Sequence, residues 1–184
     1  MKKFGRSLLV SLLLLSTVAF AQPDSQKQSD SQKTFEKLKS LAGTWEGRLT
    51  TDPVAKDVQG KIATVTLRVT STGNAMLHEI NIPGRPDDPI TMLYVENDKL
   101  TLTHYCDAGN RPRMTAAPAP DGKSVSFELV DVSGPMKYGH MHHAGFNFID
   151  ADHHSEDWTY MAGEKPIHVH FELTRKKDAP QEGK

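Results

Sequence analysis

From residue 43 to residue 177 the chain alternates apolar and polar residues in short runs, with Gly, Pro, Asn and Asp standing between them. A period of two belongs to a β-strand with one buried and one wetted face; an amphipathic helix needs apolar residues every third and fourth place. AMLHEINI puts Met76, His78, Ile80 and Ile82 on one side, IATVTLRV puts Ala63, Val65, Leu67 and Val69 there, and VSFELV puts Val125, Phe127 and Leu129 there. Between PITMLYV and LTLTHYC, Asn97-Asp98 is a two-residue hairpin signal that predicts Glu96 opposite Lys99 and Tyr94 opposite Thr101. Leu93, Val95, Leu100 and Leu102 then share a face, which His104 and Cys106 continue. Only FEKLKSLA, near residue 35, has helical character. With GTWEGRL, RPRMTAA and three runs after residue 140, the count is roughly ten antiparallel strands in sequence. The expected fold is therefore all-β, a single up-and-down barrel with a short N-terminal helix. Residues 107 to 122, rich in Pro and Gly, read as either strand or lid.

The N-terminus bears on compartment. Lys2, Lys3 and Arg6 precede an apolar run, Leu8 to Leu15, that leads to Ala19-Phe20-Ala21, a small-x-small cleavage pattern. The expected organisation is a signal peptide over 1–21, a disordered leader over 22–34, a barrel domain over 35–177 and a disordered tail over 178–184. The apolar run is too short for a membrane span, and no cysteine follows the cleavage point to take a lipid. A periplasmic or secreted product with no membrane span is expected. Removing 21 of 184 residues leaves 163, enough for one domain with its own core. Cys106 is the only cysteine, so no internal disulfide forms, and its thiol is expected to be buried rather than reactive. Without Lys2, Lys3 and Arg6 the 22 basic residues become 19 against 23 acidic ones, a net charge of about −4, which argues against a nucleic-acid surface.

LAGTWEG, Leu41 to Gly47, is similar to the Gly-x-Trp opening of the calycins, the lipocalin and fatty-acid-binding-protein group. Within that group the bacterial exported lipocalin-like proteins of unknown function resemble the whole of residues 35 to 177, with THYCDAGNRPRM the most distinctive internal match. The resemblance implies a barrel whose interior holds a small, mostly apolar ligand. A narrower resemblance is to nitrobindin-like heme barrels, whose last strand carries a heme-ligating histidine a few residues after a proline. YMAGEKPIHVHFELTRKK offers Pro166 followed by His168 and His170, with His170 at the better spacing. The chain departs from that pattern at EGRLTTD after Trp45, where a glycine-rich repeat belongs, and carries the histidine-glutamate signature only as Leu77-His78-Glu79.

HMHHAGFNFIDADHHSEDW, residues 140 to 158, holds five of the nine histidines, and the loop at IDADHH decides where they point. A two-residue loop at Ala151-Asp152 gathers His142, Phe146, Phe148, Asp157, His168, His170 and Glu172, a set with imidazole and carboxylate ligands for zinc or copper. A loop one residue longer, with Asp150 opposite His154, gathers instead Ala144, Phe146, Phe148, Trp158, Tyr160, Ile167, Val169, Phe171 and Leu173 with His142. The shorter loop leaves Trp158, Tyr160, Val169 and Phe171 outside at about 1.5 to 3 kcal/mol each, so the longer one is expected. It sends His168 and His170 to solvent with Asp157 and Glu172, and His143, His153 and His154 to an outer face and a turn. His140-x-His142 has chelating spacing but lacks a third ligand.

The expected ligand-contacting residues are thus His78, His104 and His142, with Phe146, Trp158, Tyr160 and Arg113. An imidazole inside an apolar barrel must be hydrogen-bonded, by a neighbouring strand or as one of the few oriented polar groups of a cavity. RPRM alternates, so one of Arg111 and Arg113 is expected inside or at the mouth, where its fork suits a carboxylate; which one is left open. There is no G-x-S-x-G, phosphate loop or His-Glu-x-x-His, and no cofactor motif, so no cofactor is expected. His104 and Cys106 come nearest to a Cys/His pair, but residues i and i+2 of a strand are roughly 6.5 to 7 Å apart, which does not by itself arrange a contact. The expected function is binding of a small hydrophobic or amphipathic molecule. The alternatives are a heme or transition-metal barrel using His142, His168 and His170, and an enzyme centred on His104 and Cys106.

Overall fold

The computed structural model describes residues 28–177; the expected signal peptide, the first part of the leader and the tail lie outside the described residues. Helix α1 spans Asp30–Lys39 and is capped by Ser29, whose hydroxyl accepts from the Gln32 backbone N–H. Asp30 in its first turn and Lys37 and Lys39 in its last oppose the helix dipole. This local support starts the helix ahead of FEKLKSLA, so residues 30–34, expected in the leader, are helical. Phe35, Leu38 and the following Leu41 are buried, each worth about 1.5 to 3 kcal/mol.

Ten strands follow: β1 (Gly43–Asp52), β2 (Ile62–Thr70), β3 (Ala75–Asn81), β4 (Ile90–Glu96), β5 (Lys99–Tyr105), β6 (Arg111–Pro118), β7 (Ser124–Ser133), β8 (His140–Phe148), β9 (His153–Ala162) and β10 (Lys165–Arg175). Each pairs antiparallel with the next, and β1 pairs with β10, closing an up-and-down barrel with no free sheet edge. Part of the 107–122 stretch is therefore strand β6; residues ahead of it turn at one end of the barrel. Asn97 and Asp98 both have positive φ, 48° and 61°, the primed turn that a right-twisted hairpin demands. Leu93 faces Leu102 and Val95 faces Leu100, as the pattern predicts.

The Gly-x-Trp opening explains itself in the closure. A Cβ on Gly47 would lie 1.8 Å from the Glu172 carbonyl oxygen, so β1 and β10 approach this closely only because position 47 has no side chain. Trp45 is fully buried, donates from Nε1 to the Leu41 carbonyl at 2.8 Å, and lies 4.0 Å beneath the Arg175 guanidinium. Arg175 in turn donates to the carbonyls of Ala42, Ser40 and Ala151, stitching the last strand to the residues that follow α1 and to the β8–β9 loop.

One register and three orientations differ from the expectation. Phe148, not Asp150, pairs with His154, and because a shift of two residues preserves parity Trp158, Tyr160, Ile167, Val169 and Phe171 still turn inward as expected. A bulge between Met141 and His143 adds one residue to β8, which brings Met141 against the core and turns His142 out to solvent. His154 is wholly buried rather than on the surface. On β6, Pro112 and Met114 point inward, so neither arginine does: Arg113 pairs with Asp131 outside and Arg111 with the Ser133 hydroxyl.

Candidate functional site

The barrel interior is divided along its axis. At the α1 end it is packed solid around Trp45, Phe127 and Phe146. In the middle lies a polar layer: Glu156, with no exposed side-chain surface, accepts from His78 Nε2 at 3.0 and 3.2 Å, from His154 Nε2 at 3.1 Å and from Trp158 Nε1 at 3.0 Å. Burial pushes the Glu156 carboxyl up, but the charge of His78 and the hydrogen bonds and charge of His154 outweigh it and hold the group well below the usual carboxylate range. The Nδ1 atoms of His78 and His154 are buried without partners among the described residues. In the next row His104 Nδ1 meets the buried Thr91 hydroxyl at 2.8 Å.

Beyond this layer, at the end opposite α1, a cavity of about 410 Å³ opens between the strands. Leu49, Ile80, Ile82, Val169 and Phe171 form its walls, His104 and Trp158 its inner end, and Arg85, Asp57 and Asp107 stand at its mouth. Arg85 donates to Asp107 at 2.6 Å and lies 3.8 Å from Asp57, tying three loops together. Burial and then the charge of His78 lower the His104 imidazole to about 4, while burial raises the Cys106 thiol. Both groups are thus neutral near pH 7, the opposite of the thiolate–imidazolium pairing that a cysteine nucleophile needs.

Of the residues singled out from sequence, His104, Trp158 and Tyr160 meet at the cavity. His78 and Phe146 lie behind Trp158 in the packed interior, with ring centroids 5.4 and 6.0 Å from it. Arg113 and His142 are outside. His168 and His170 also point away from the interior, bonded to Thr159 and Asp157. The histidines that the nitrobindin resemblance marks as ligands therefore do not fit a heme held inside this barrel, where β10 presents Ile167, Val169 and Phe171. Among the described residues no three His, Cys, Asp or Glu side chains converge so as to hold a metal ion. Glu156, His154 and Thr91 were missed, although positions 154 and 156 share the parity of Trp158 and so its inward face.

No protein-family model matches the chain, and no curated protein matches it. Among solved structures, Rv2717c from M. tuberculosis is similar over 78% of this chain and 98% of its own, with a TM-score of 0.56 at 16% identity. A protein of unknown function from the DUF3598 family of Nostoc punctiforme is similar over 76% of this chain, with a TM-score of 0.53 at 11% identity. The present chain spans about half of that protein, 48%. At these identities the likeness is one of fold. Among the described residues no helix is long and apolar enough to cross a membrane.

Proposed function

We propose that this protein is an exported, lipocalin-like barrel that holds a small hydrophobic or amphipathic molecule in the cavity opposite α1. The observation that carries the reading is the cavity itself: about 410 Å³, walled by aliphatic and aromatic side chains and reaching a buried imidazole, in the size range of small-molecule pockets. Membership of the calycins is supported by the Leu41–Gly47 opening, whose tryptophan and glycines close the barrel. Export to the periplasm or beyond is supported by the pattern of residues 2–21. The test is a fluorescence titration with the neutral apolar probe N-phenyl-1-naphthylamine. Saturable enhancement in the wild type, lost in Ile167→Trp, which fills the cavity, is expected; binding that ignores this substitution would place the probe elsewhere and sink the reading.

A further inference from the structure

The hydrogen bonds around His104 define which molecule the cavity accepts, on the footing of the binding reading above. Thr91 is wholly buried, and its hydroxyl has His104 Nδ1 as its one partner among the described residues. A buried hydroxyl without an acceptor costs about 1 to 3 kcal/mol, so Thr91 donates and Nδ1 accepts. A neutral imidazole that accepts at Nδ1 carries its proton on Nε2. That nitrogen has no protein partner among the described residues, and the ring borders the cavity while only 2% exposed. His104 therefore presents a donor, and no acceptor, to whatever enters.

The other polar groups of the wall are engaged. Trp158 gives its N–H to Glu156, Thr51 bonds Gln59, Tyr160 donates to the Tyr138 carbonyl, and Cys106 leans on Asp107. Arg85 is held by Asp107 and Asp57, and Asp87 adds a further carboxylate at the mouth. An anionic headgroup would pass an acid-rich mouth and come to rest against one neutral donor, His104, since the His78 and His154 imidazoles behind it are already taken up by Glu156; one neutral hydrogen bond does not replace the hydration of a buried charge. A carbonyl oxygen needs only the one donor.

We infer that the cavity takes an uncharged, mostly apolar molecule whose buried end is a carbonyl oxygen accepting from His104 Nε2–H, and that it discriminates against the carboxylate of the same chain length. Thr91 is the positioning residue, since it sets which nitrogen carries the proton.

The test is displacement of bound N-phenyl-1-naphthylamine at pH 7.5 by 2-decanone and by decanoate. The ketone is expected to compete at a concentration at least tenfold lower. His104→Leu lowers the affinity for the ketone about tenfold relative to that for decane, measured as the ratio of the two competition constants on the same variant, so that any change in the probe's own binding cancels; His104→Gln, which retains an N–H donor, keeps most of the preference. If His104→Leu fails to fold because Thr91 is left unpaired, the double variant His104→Leu/Thr91→Val serves. The infrared carbonyl stretch of bound 2-decanone shifts down in the wild type and returns to its apolar-solvent position in the leucine variant, a readout that a structural role alone does not move. Decanoate competing as well as the ketone, or a ketone affinity indifferent to His104, overturns the inference and leaves the cavity reading intact. Probe binding that is absent, or blind to Ile167→Trp, removes the cavity reading and this inference with it.

Discussion

Replacing Glu156 by glutamine removes one negative charge and one acceptor from the middle of the barrel with almost no change in volume. The carboxylate oxygens divide their work: Oε1 accepts from His154 and His78, Oε2 from Trp158 and His78. An amide NH₂ in either position orphans one ring N–H, His154 or Trp158, and adds a donor facing donors. Two unsatisfied buried groups at about 1 to 3 kcal/mol each give an expected loss of about 2 to 6 kcal/mol. Urea unfolding measures it, with Glu172→Gln on the outer face of β10 as a control expected within about 0.5 kcal/mol of wild type. The acid limb gives an independent sign. Because the folded carboxyl is held below its ordinary value of 4.5, its stabilisation is complete above about pH 5 and drains away as pH falls. This one group adds a slope of up to about 1.4 kcal/mol per pH unit below 4.5, which Glu156→Gln lacks. A glutamine variant within 1 kcal/mol of wild type at pH 7, or with the same acid slope, would falsify the view that a charged Glu156 organises the layer.

Arg175→Ala should cost about 2 to 3 kcal/mol in the same unfolding assay, from three carbonyl hydrogen bonds and the stack on Trp45, and Arg175→Lys should recover little because an ammonium cannot reproduce the planar fork. Asp98→Gly should raise stability by about 0.4 to 1 kcal/mol, since glycine adopts a φ of 61° without the steric cost that aspartate bears there, and the carbonyl that Ser31 bonds is retained. Cys106 should react with a disulfide reagent such as dithionitrobenzoate more slowly than a free peptide thiol at pH 7, its rate climbing only at alkaline pH; a rate above the peptide's would contradict the burial that raises its thiol.

The barrel was legible because its information is local. Asn97-Asp98 fixed one hairpin outright, and on β2, β3, β5 and β7 at least two residues of each inward row declare its face through Val, Leu, Ile, Met or Phe. The β8–β9 loop could be misjudged by two residues without harm, since an even shift preserves faces. What stayed hidden has two physical causes. A β-bulge inserts one residue and reverses parity downstream of nothing more conspicuous than Met141-His142-His143, and there the inward reading of His142 failed. Pairing then defeated polarity: Glu156 and His154 stand on the same face as Trp158, yet a charged or basic side chain reads as surface until its partners, 78 residues away in the case of His78, are known. Arg85 and Asp107 meet through turns whose geometry no alternation encodes.

The two tryptophans lie on either side of the polar layer, Trp45 in the packed α1 end and Trp158 at the inner end of the cavity, and neither touches bulk water. Their optical environments are unlike: one indole lies under a guanidinium and gives its N–H to a backbone carbonyl, the other gives its N–H to a carboxylate and shows a flank to the cavity. The molecule thus has a built-in reporter and a built-in reference. A guest entering the open end should perturb the emission of Trp158 more than that of Trp45, which does not line the cavity, so occupancy can be followed on unlabelled protein and separated from any loosening of the closed end by single-tryptophan variants.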